Sequence, residues 1–323
     1  MSIDILYPYR IIKGFFREFF LRKKRYINTA DESFSFLDSV VFMVDGAQPH
    51  GGLVDRFKGI ISAYALCKVT GKEFRINYCY PFRLEKYLLP NAFDWRLREG
   101  ELTYSKDFAC PKILMGDTYP WRLLFLSRRK RQIHMYYNRD VLAWINKYYK
   151  SEFTWKGLFN ELFQMSPILE DLVASYRREL SQGFVAIHFR FQHLLGGDFK
   201  EVYARTLLED EAVILRERCF DVIREIVKQN CGRKVLLAGD NAAFLSEAAR
   251  IPGTFVLKGT IVHCDNVREK LEDDSTLKLL ADFFLLSKAK VVYSVKSKDM
   301  YPSEFPMYAA MLGENSEFKR LYI

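Results

Sequence analysis

FVAIHFR, at residues Phe184–Arg190, is a run of four apolar residues followed by a histidine, a phenylalanine and an arginine. Consecutive apolar residues are typical of a strand that is buried on both faces of a parallel sheet. The pattern recurs toward the C-terminus, where apolar strands alternate with helical segments. This alternation predicts an α/β domain with a parallel sheet covered by helices. The predicted strands are Phe184–Phe189, Lys234–Ala238, Thr254–Leu257 and Lys290–Ser294, and the predicted helices are Ala212–Lys228, Asn241–Arg250, Thr276–Ala289 and Ser303–Leu312.

The N-terminal half contains a unit of the same kind. A buried strand is predicted at Ser39–Asp45, and the glycines Gly51 and Gly52 lead into a helical pattern that ends near Gly71. A second strand is predicted at Phe74–Tyr78. Because a helix connects the two strands, we expect them to be parallel.

The chain has 323 residues, and 49% of them are hydrophobic, which is enough to fill two cores. We expect a separate segment at residues 1–27 and two Rossmann-like domains at residues 37–165 and 166–323. Residues 84–168 are irregular and rich in Tyr, Trp and Arg, and their hydrophobic pattern assigns no strand or helix.

The chain has an excess of positive charge, with 49 Lys and Arg against 40 Asp and Glu, a formal net charge of +9. This excess favours anionic partners without choosing among them. The six cysteines are scattered, as expected of reduced thiols rather than a disulfide framework or a zinc site. No apolar run reaches the length of about 18 residues needed to cross a membrane, and no standard export signal is present. We therefore expect a cytoplasmic protein, either soluble or membrane-associated.

Residues 1–25 combine an apolar stripe at helical spacing with a basic end, Arg22–Arg25. Two interpretations remain open. The helix lies in a membrane interface, with its aromatic stripe buried and its cations near anionic headgroups, or the stripe packs on the protein's own core.

Polar residues follow three of the predicted strands in the C-terminal half. In an open parallel sheet, ligands bind at the carboxyl ends of the strands. The candidate residues there are His188, Arg190, Asp240, Asn241, Ser297 and Ser303. Arginine suits a diphosphate because its planar fork donates two parallel hydrogen bonds. The structural alternatives are a salt bridge for Arg190 and helix capping for the Asp, Asn and Ser residues.

The sequence resembles the GDP-fucose-dependent fucosyltransferases, a superfamily that joins the α1,2-, α1,6- and protein O-fucosyltransferases. The resemblance covers about residues 39–75 and 183–313. It is carried by Gly51–Gly59, Val185–Arg190, Asp240-Asn241, Asp282–Ala289, Ser303–Phe305 and Ala309–Gly313.

The resemblance implies a GT-B fold of two facing Rossmann-like domains, with an acceptor-side domain followed by a nucleotide-sugar-binding domain. It implies an inverting glycosyltransferase that moves L-fucose from the donor GDP-fucose to a glycan hydroxyl, with no metal and no further cofactor. The divergent middle region, residues 84–168, is then expected to shape the acceptor site.

By the same resemblance, Arg190 would bind the diphosphate, with His188 near the guanine and Asp240 recognising the base. Some relatives have a second basic residue where this chain has Phe191. The missing charge would then come from Lys296, Lys298 or Arg56. Other donor-binding candidates are Gly51, Gly52, Asn241, Ser297 and Ser303.

Two carboxylates are candidates for the base that accepts the proton of the acceptor hydroxyl. Asp198 lies ten residues after His188, the spacing of a candidate base in the α1,6 branch, and Asp55 lies beside the glycine turn of the first domain. Each has a structural alternative: Asp198 closes a glycine turn, and Asp55 pairs with Arg56 or Lys58.

Three alternative interpretations differ in function. The protein could use another nucleotide sugar, or it could be a non-catalytic polyanion-binding or membrane-binding protein on a transferase scaffold. The basic and aromatic residues 128–137 could bind nucleic acid, but no recognised nucleic-acid module surrounds them, so we expect no nucleic-acid partner. A solvated helix or an anionic acceptor surface is the preferred interpretation of residues 128–137.

Overall fold

The computed structural model describes residues 7–28, 36, 38–116, 131–180, 183–197, 205–264, 270–314 and 316–323, with side chains from residue 11 onward. The chain divides into two compact units, Met1–Gln164 and Met165–Ile323. Each unit contains its own parallel sheet. The N-terminal helix belongs to the first unit.

The first unit is built around a parallel sheet of four strands. Its elements are α1 (Tyr7–Arg25), β1 (Ser39–Val44), α2 (Leu53–Thr70), β2 (Glu73–Tyr78), β3 (Leu88–Pro90), β4 (Ala109–Ile113), β5 (Gln132–Tyr136), α3 (Leu142–Tyr149) and α4 (Trp155–Leu162). The strand order is β2-β1-β5-β4, and every neighbouring pair is parallel. The predicted strands at Ser39–Asp45 and Phe74–Tyr78 are confirmed, whereas β4 and β5 lie in the region for which the sequence predicted no elements.

In residues 131–137, the described part of the basic and aromatic stretch, the expectation of a solvated helix is wrong; residues 128–130 lie outside the described residues. Strand β5 occupies Gln132–Tyr136, and all five of its residues are buried. The His134 ring is hydrogen-bonded to the Tyr26 hydroxyl at 2.6 Å and to the Gln132 side chain at 2.8 Å. These contacts explain why a polar side chain is accepted in the core.

Helix α2 packs unusually close to the chain that leaves β5. The helix is buried along most of its length and ends at Gly71, whose left-handed φ of 68° allows its amide to donate to the Cys67 carbonyl. At Gly59, a Cβ atom would lie 2.2 Å from the Tyr137 carbonyl oxygen and 2.8 Å from the Phe42 ring. Only glycine fits this contact, which sets the distance between α2 and the sheet.

The second unit is built around five parallel strands. Its elements are β6 (Phe163–Met165, which begins at the end of the first unit), α5 (Pro167–Leu180), β7 (Val185–Phe189), α6 (Glu209–Gln229), β8 (Val235–Gly239), α7 (Ala242–Ala248), β9 (Thr254–Val256), α8 (Asp273–Lys288), β10 (Val291–Lys296), α9 (Phe305–Leu312) and β11 (Glu317–Tyr322). The order is β11-β10-β7-β8-β9. All four predicted strands and all four predicted helices are present, and the predicted fold class, α/β with parallel sheets flanked by helices, is confirmed.

The pairing register of β7, β8 and β10 brings the ends of these strands to one edge of the sheet. His188 of β7 pairs with Ala238 of β8 on one side and with Ser294 of β10 on the other. Strand β7 is therefore central, and the segments that leave β7, β8 and β10 start from the same edge of the sheet. Beneath that edge, Phe189 and Phe191 pack on Phe244 with ring centroids 4.9 and 4.8 Å away.

The close approach at Gly59 generates a stability prediction. In an exposed helix, Gly→Ala stabilises by about 1 kcal/mol. Here we expect Gly59→Ala to destabilise the protein by about 2 kcal/mol or more, because the methyl group would overlap the Tyr137 carbonyl. Urea unfolding gives the free energy of both proteins.

The matched control is Gly100→Ala. Gly100 has a left-handed φ of 78°, which favours glycine, but no atom lies within 4 Å of the added methyl group. We expect it to cost only about 1 kcal/mol, the price of the left-handed backbone. A Gly59→Ala variant as stable as the wild-type protein would contradict the proposed overlap.

Candidate functional site

A pocket lies at the carboxyl ends of the strands in the second unit. Its cavity volume is about 70 Å³, and the whole depression, including its opening to solvent, spans about 510 Å³. The segments after β7, β8 and β10 all contribute to it, as the strand-end pattern predicted. The lining residues are His188, Arg190, Ala238, Gly239, Asp240, Ile261, Val262, His263, Lys278, Leu279, Asp282, Ser303 and Phe305.

Arg190 is buried in the pocket wall and held from two sides. One guanidinium nitrogen donates to Asp240 Oδ2 at 2.5 Å, and the other lies 3.0 Å from His263 Nε2. For the second contact to be a hydrogen bond, His263 Nε2 must carry no proton. The salt-bridge alternative for Arg190 is therefore realised, but the salt bridge holds the guanidinium within a pocket rather than on the surface.

Asp240 organises the turn that follows β7. Besides the contact with Arg190, its carboxylate accepts the amide hydrogens of Phe191 at 2.8 Å and Gln192 at 2.7 Å. Both oxygens are thus engaged by the protein itself. This arrangement differs from that expected of a carboxylate whose main role is to recognise a base.

His188 lies beneath the pocket with its ring against Phe305, at a centroid distance of 5.5 Å. Burial and the neighbouring charge of Arg190 lower the pKa of His188 to about 3. The imidazole is therefore neutral at physiological pH. It can offer hydrogen bonds and an aromatic face but no positive charge.

Helix α8 brings a buried ion pair into the pocket wall. Lys278 donates to Asp282 Oδ2 at 2.6 Å, one helical turn away. Among the described residues, no group hydrogen-bonds the other carboxylate oxygen, Asp282 Oδ1. Burial raises the pKa of this carboxyl. Asp282 Oδ1 is therefore a buried acceptor in the pocket wall that lacks a protein donor in the described part of the chain.

Sequence reasoning did not assign His263, Lys278 or Asp282 to the site. His263 follows the short strand β9, so the strand-end rule applied to β7, β8 and β10 would have found it. Lys278 and Asp282 are four residues apart in the otherwise apolar stretch Leu277–Phe284. An opposite charge pair on the buried face of a helix was the available signal.

Of the other candidates in this unit that the structure describes, only Ser303 lines the pocket. Its hydroxyl oxygen accepts the Phe305 amide at the start of α9, and its own proton can still be donated. Asn241 caps α7 by accepting the Phe244 amide, and Ser297 accepts amides of its own turn. For Asn241, the capping alternative is realised.

Within the second unit, the positions considered for a second cation do not line the pocket. Phe191 is buried in the core against Phe189 and Phe244, so this position belongs to packing. Neither Lys296 nor Lys298 lines the pocket. The described cation that shares the pocket wall with Arg190 is Lys278.

The predicted residues of the first unit form a glycine turn at the start of α2. Gly51 has φ of 82°, which favours glycine, and Gly52 precedes the helix. Asp55 pairs with Lys58 at 2.9 Å, and Arg56 is buried and donates to the Tyr78 hydroxyl at 2.9 Å.

Asp198 lies outside the described residues, so its role as a base stays a prediction. Within the described ranges, no three His, Cys, Asp or Glu side chains are grouped so that they could hold a metal ion. Metal independence likewise stays a prediction.

Three buried histidines generate a pH prediction. Burial lowers the pKa values of His50, His134 and His188 to about 3, whereas each titrates near 6.5 in the unfolded chain. Between these values the unfolded state binds more protons, so stability is complete above about pH 6.5 and decreases as the pH falls toward 3. The slope approaches about 1.4 kcal/mol per pH unit for each histidine.

We expect urea unfolding at about pH 5 to give a markedly lower free energy than at about pH 7.5. Because carboxylates also contribute at acid pH, the specific test is His188→Gln, which should make the pH dependence shallower than that of the wild-type protein. An identical dependence in both proteins would contradict the assignment for His188.

Comparisons with known proteins identify solved structures of similar fold. No family model and no curated protein matches the sequence. The crystal structure of the fucosyltransferase NodZ from Bradyrhizobium aligns with a TM-score of 0.54 at 15% identity, covering 85% of this chain and 92% of that chain. NodZ alpha-1,6-fucosyltransferase co-crystallised with GDP aligns at 0.53 and 13% identity, and NodZ soaked with GDP-fucose at 0.50 and 14%, each covering 85% of this chain and 93% of that chain.

The predicted arrangement of two facing domains is not tested by these alignments. At such low identity a structural alignment shows the fold alone. For the fold, the resemblance stated from the sequence is confirmed, because this chain has the fold of the fucosyltransferase NodZ.

Proposed function

We propose that this protein is an inverting glycosyltransferase that moves L-fucose from GDP-fucose to a hydroxyl group of a glycan acceptor. The observation that carries the proposal is the position of Arg190, buried and fixed in a pocket at the carboxyl edge of the second sheet. Structures of NodZ, which has the same fold, have been solved after co-crystallisation with GDP and after soaking with GDP-fucose.

Arg190 is proposed to bind the diphosphate. When the bond between the anomeric carbon and the phosphate breaks, the sugar ring gains positive charge and the diphosphate gains negative charge. A fixed guanidinium stabilises the departing diphosphate without having to reorient. Asp240 and His263 supply this fixation because they hold two different nitrogens of the Arg190 guanidinium.

Asp282 is proposed to recognise the guanine, a role that the sequence comparison gave to Asp240. Guanine presents two adjacent donors, N1–H and the 2-amino group, which suit a carboxylate acceptor. Asp240 is engaged by Arg190 and two amides, whereas Asp282 Oδ1 has no donor among the described residues. Lys278 keeps Asp282 in place. The neutral ring of His188 and the hydroxyl of Ser303 complete the proposed donor site.

The base that accepts the proton of the acceptor hydroxyl remains a choice between Asp55 and Asp198. Asp55 is half-exposed at the first turn of α2, where Lys58 pairs with one of its oxygens. A carboxylate in hydrogen-bond reach of the acceptor is sufficient for the role. The acceptor itself is proposed as a glycan only from the family resemblance.

The enzymatic proposal is tested by incubating the protein with GDP-fucose and measuring slow release of GDP. We expect release of GDP from GDP-fucose in the presence of EDTA, with less GDP released from GDP-mannose and less UDP from UDP-glucose. Hydrolysis of a different nucleotide sugar would favour the alternative donor. Binding without any release would favour the non-catalytic alternative.

In a binding titration with GDP, we expect Arg190→Ala to weaken the affinity by about 10- to 100-fold, because charge-assisted hydrogen bonds contribute about 1.5–3 kcal/mol. Guanosine, which has no phosphate, should bind both proteins alike. The matched control is Arg224→Ala, which removes an exposed arginine paired with Asp221 on α6. Unchanged GDP affinity in a folded Arg190→Ala variant would refute the phosphate assignment.

The assignment of guanine recognition to Asp282 is tested with purine nucleoside diphosphates that differ in the hydrogen-bonding groups of the base. Wild-type protein should bind GDP more tightly than IDP, which lacks the 2-amino group, and more tightly still than ADP. We expect Asp282→Asn to reduce the preference for GDP over ADP by about tenfold or more, because an amide offers a donor where the carboxylate accepts. Suppose instead that Asp282→Asn keeps the wild-type preference for GDP over ADP and that Asp240→Asn loses it. Asp240, as the sequence resemblance implied, would then be the residue that recognises guanine.

A further inference from the structure

Helix α1 exposes the side chains that its sequence would be expected to bury. Five large apolar residues on one face of the helix are between 54% and 63% exposed: Ile12, Phe15, Phe16, Phe19 and Phe20. The interpretation in which this stripe packs on the protein's own core is therefore wrong. A continuous exposed apolar face of this kind marks an interaction surface.

The opposite face of α1 attaches the helix to the first unit, and it does so largely with polar contacts. Glu18 is buried and accepts the Ile113 amide at 3.0 Å and the Lys112 ammonium at 2.9 Å. Arg22 donates to the Lys106 carbonyl at 2.9 Å, and Leu21 is buried. These contacts fix the rotation of the helix and keep the aromatic face directed outward.

Exposed lysines lie on and beside the aromatic face of α1, the face formed by the five exposed apolar residues. Lys23 lies three and four residues after Phe20 and Phe19, so it continues the same face of the helix. Lys13 and Lys24 are exposed along one flank. Long lysine side chains can place their stems in an apolar layer while their charges remain in the headgroup region. Apolar rings with cations beside them match the chemistry of an anionic lipid surface.

We propose that α1 binds the surface of an anionic phospholipid bilayer, lying in the plane of the interface with its aromatic face among the lipid chains and Lys13, Lys23 and Lys24 among the headgroups. In the described part of the chain, no helix is long and apolar enough to cross a membrane. A second copy of the chain fits this surface less well, because pairing two α1 helices would bring like charges together. The inference is independent of the proposed fucosyl transfer.

The test is flotation of the full chain with vesicles of phosphatidylcholine alone or containing a third phosphatidylserine. We expect wild-type protein to float with the anionic vesicles and much less with the neutral ones. Phe16→Ser/Phe19→Ser should lower the partition coefficient at least about tenfold, because two apolar side chains lose their burial. Lys23→Glu/Lys24→Glu should lower binding to the anionic vesicles and leave the weak neutral binding unchanged.

The matched control is Ile168→Ser/Ile214→Ser, which removes apolar side chains of similar exposure, 56% and 54%, from α5 and α6. It should float like the wild-type protein. Point substitutions are preferred to deletion of the helix, which would also remove Glu18 from the sheet. Circular dichroism and thermal unfolding should be unchanged in the Phe16→Ser/Phe19→Ser variant, because both residues are exposed.

Two results would overturn the proposal. One is flotation of the Phe16→Ser/Phe19→Ser variant equal to that of the wild-type protein. The other is absence of flotation by wild-type protein with the anionic vesicles. A concentration-dependent dimer in sedimentation that this variant abolishes would then show that the face joins two copies of the chain.

Discussion

The carboxylate of Asp240 fixes the loop that follows β7, and the candidate site depends on that arrangement. It accepts the Arg190 guanidinium and the amides of the next two residues, Phe191 and Gln192. Neither charge would be tolerated in this buried position without the other. The pair therefore explains how the sheet presents an oriented cation before any ligand arrives, which is the condition for efficient electrostatic stabilisation.

The two cations described in the pocket wall each have their own carboxylate, Arg190 with Asp240 and Lys278 with Asp282. Formal charges among these four side chains therefore cancel, although the chain as a whole carries a net charge of +9. Selection of an anionic ligand in this pocket would depend on the direction of hydrogen-bond donors rather than on an excess of charge. His188 is neutral, so it too would contribute to ligand selection through its ring and its hydrogen bonds rather than through charge.

Much of this fold could be predicted from the sequence because the central strands are short apolar runs and the polar residues after them share one edge. The same rule located Arg190, Asp240 and Ser303 in the pocket. Strand β11 escaped prediction because Glu317, Lys319 and Arg320 interrupt the apolar run by which the buried strands were identified. Lys278 and Asp282 escaped because charges on a helix usually face solvent, although the apolar residues around this pair indicated the burial that the structure shows.

Glu18 protects an edge of the first sheet from association with another molecule. In the described sheet of the first unit, β4 is a terminal strand, and the amide of Ile113 would be open to pairing with a strand from another molecule. The Glu18 carboxylate takes that amide, and α1 lies along the strand. The helix thus blocks edge-to-edge association of sheets, so its loss would expose the protein to aggregation whatever surface its aromatic face binds.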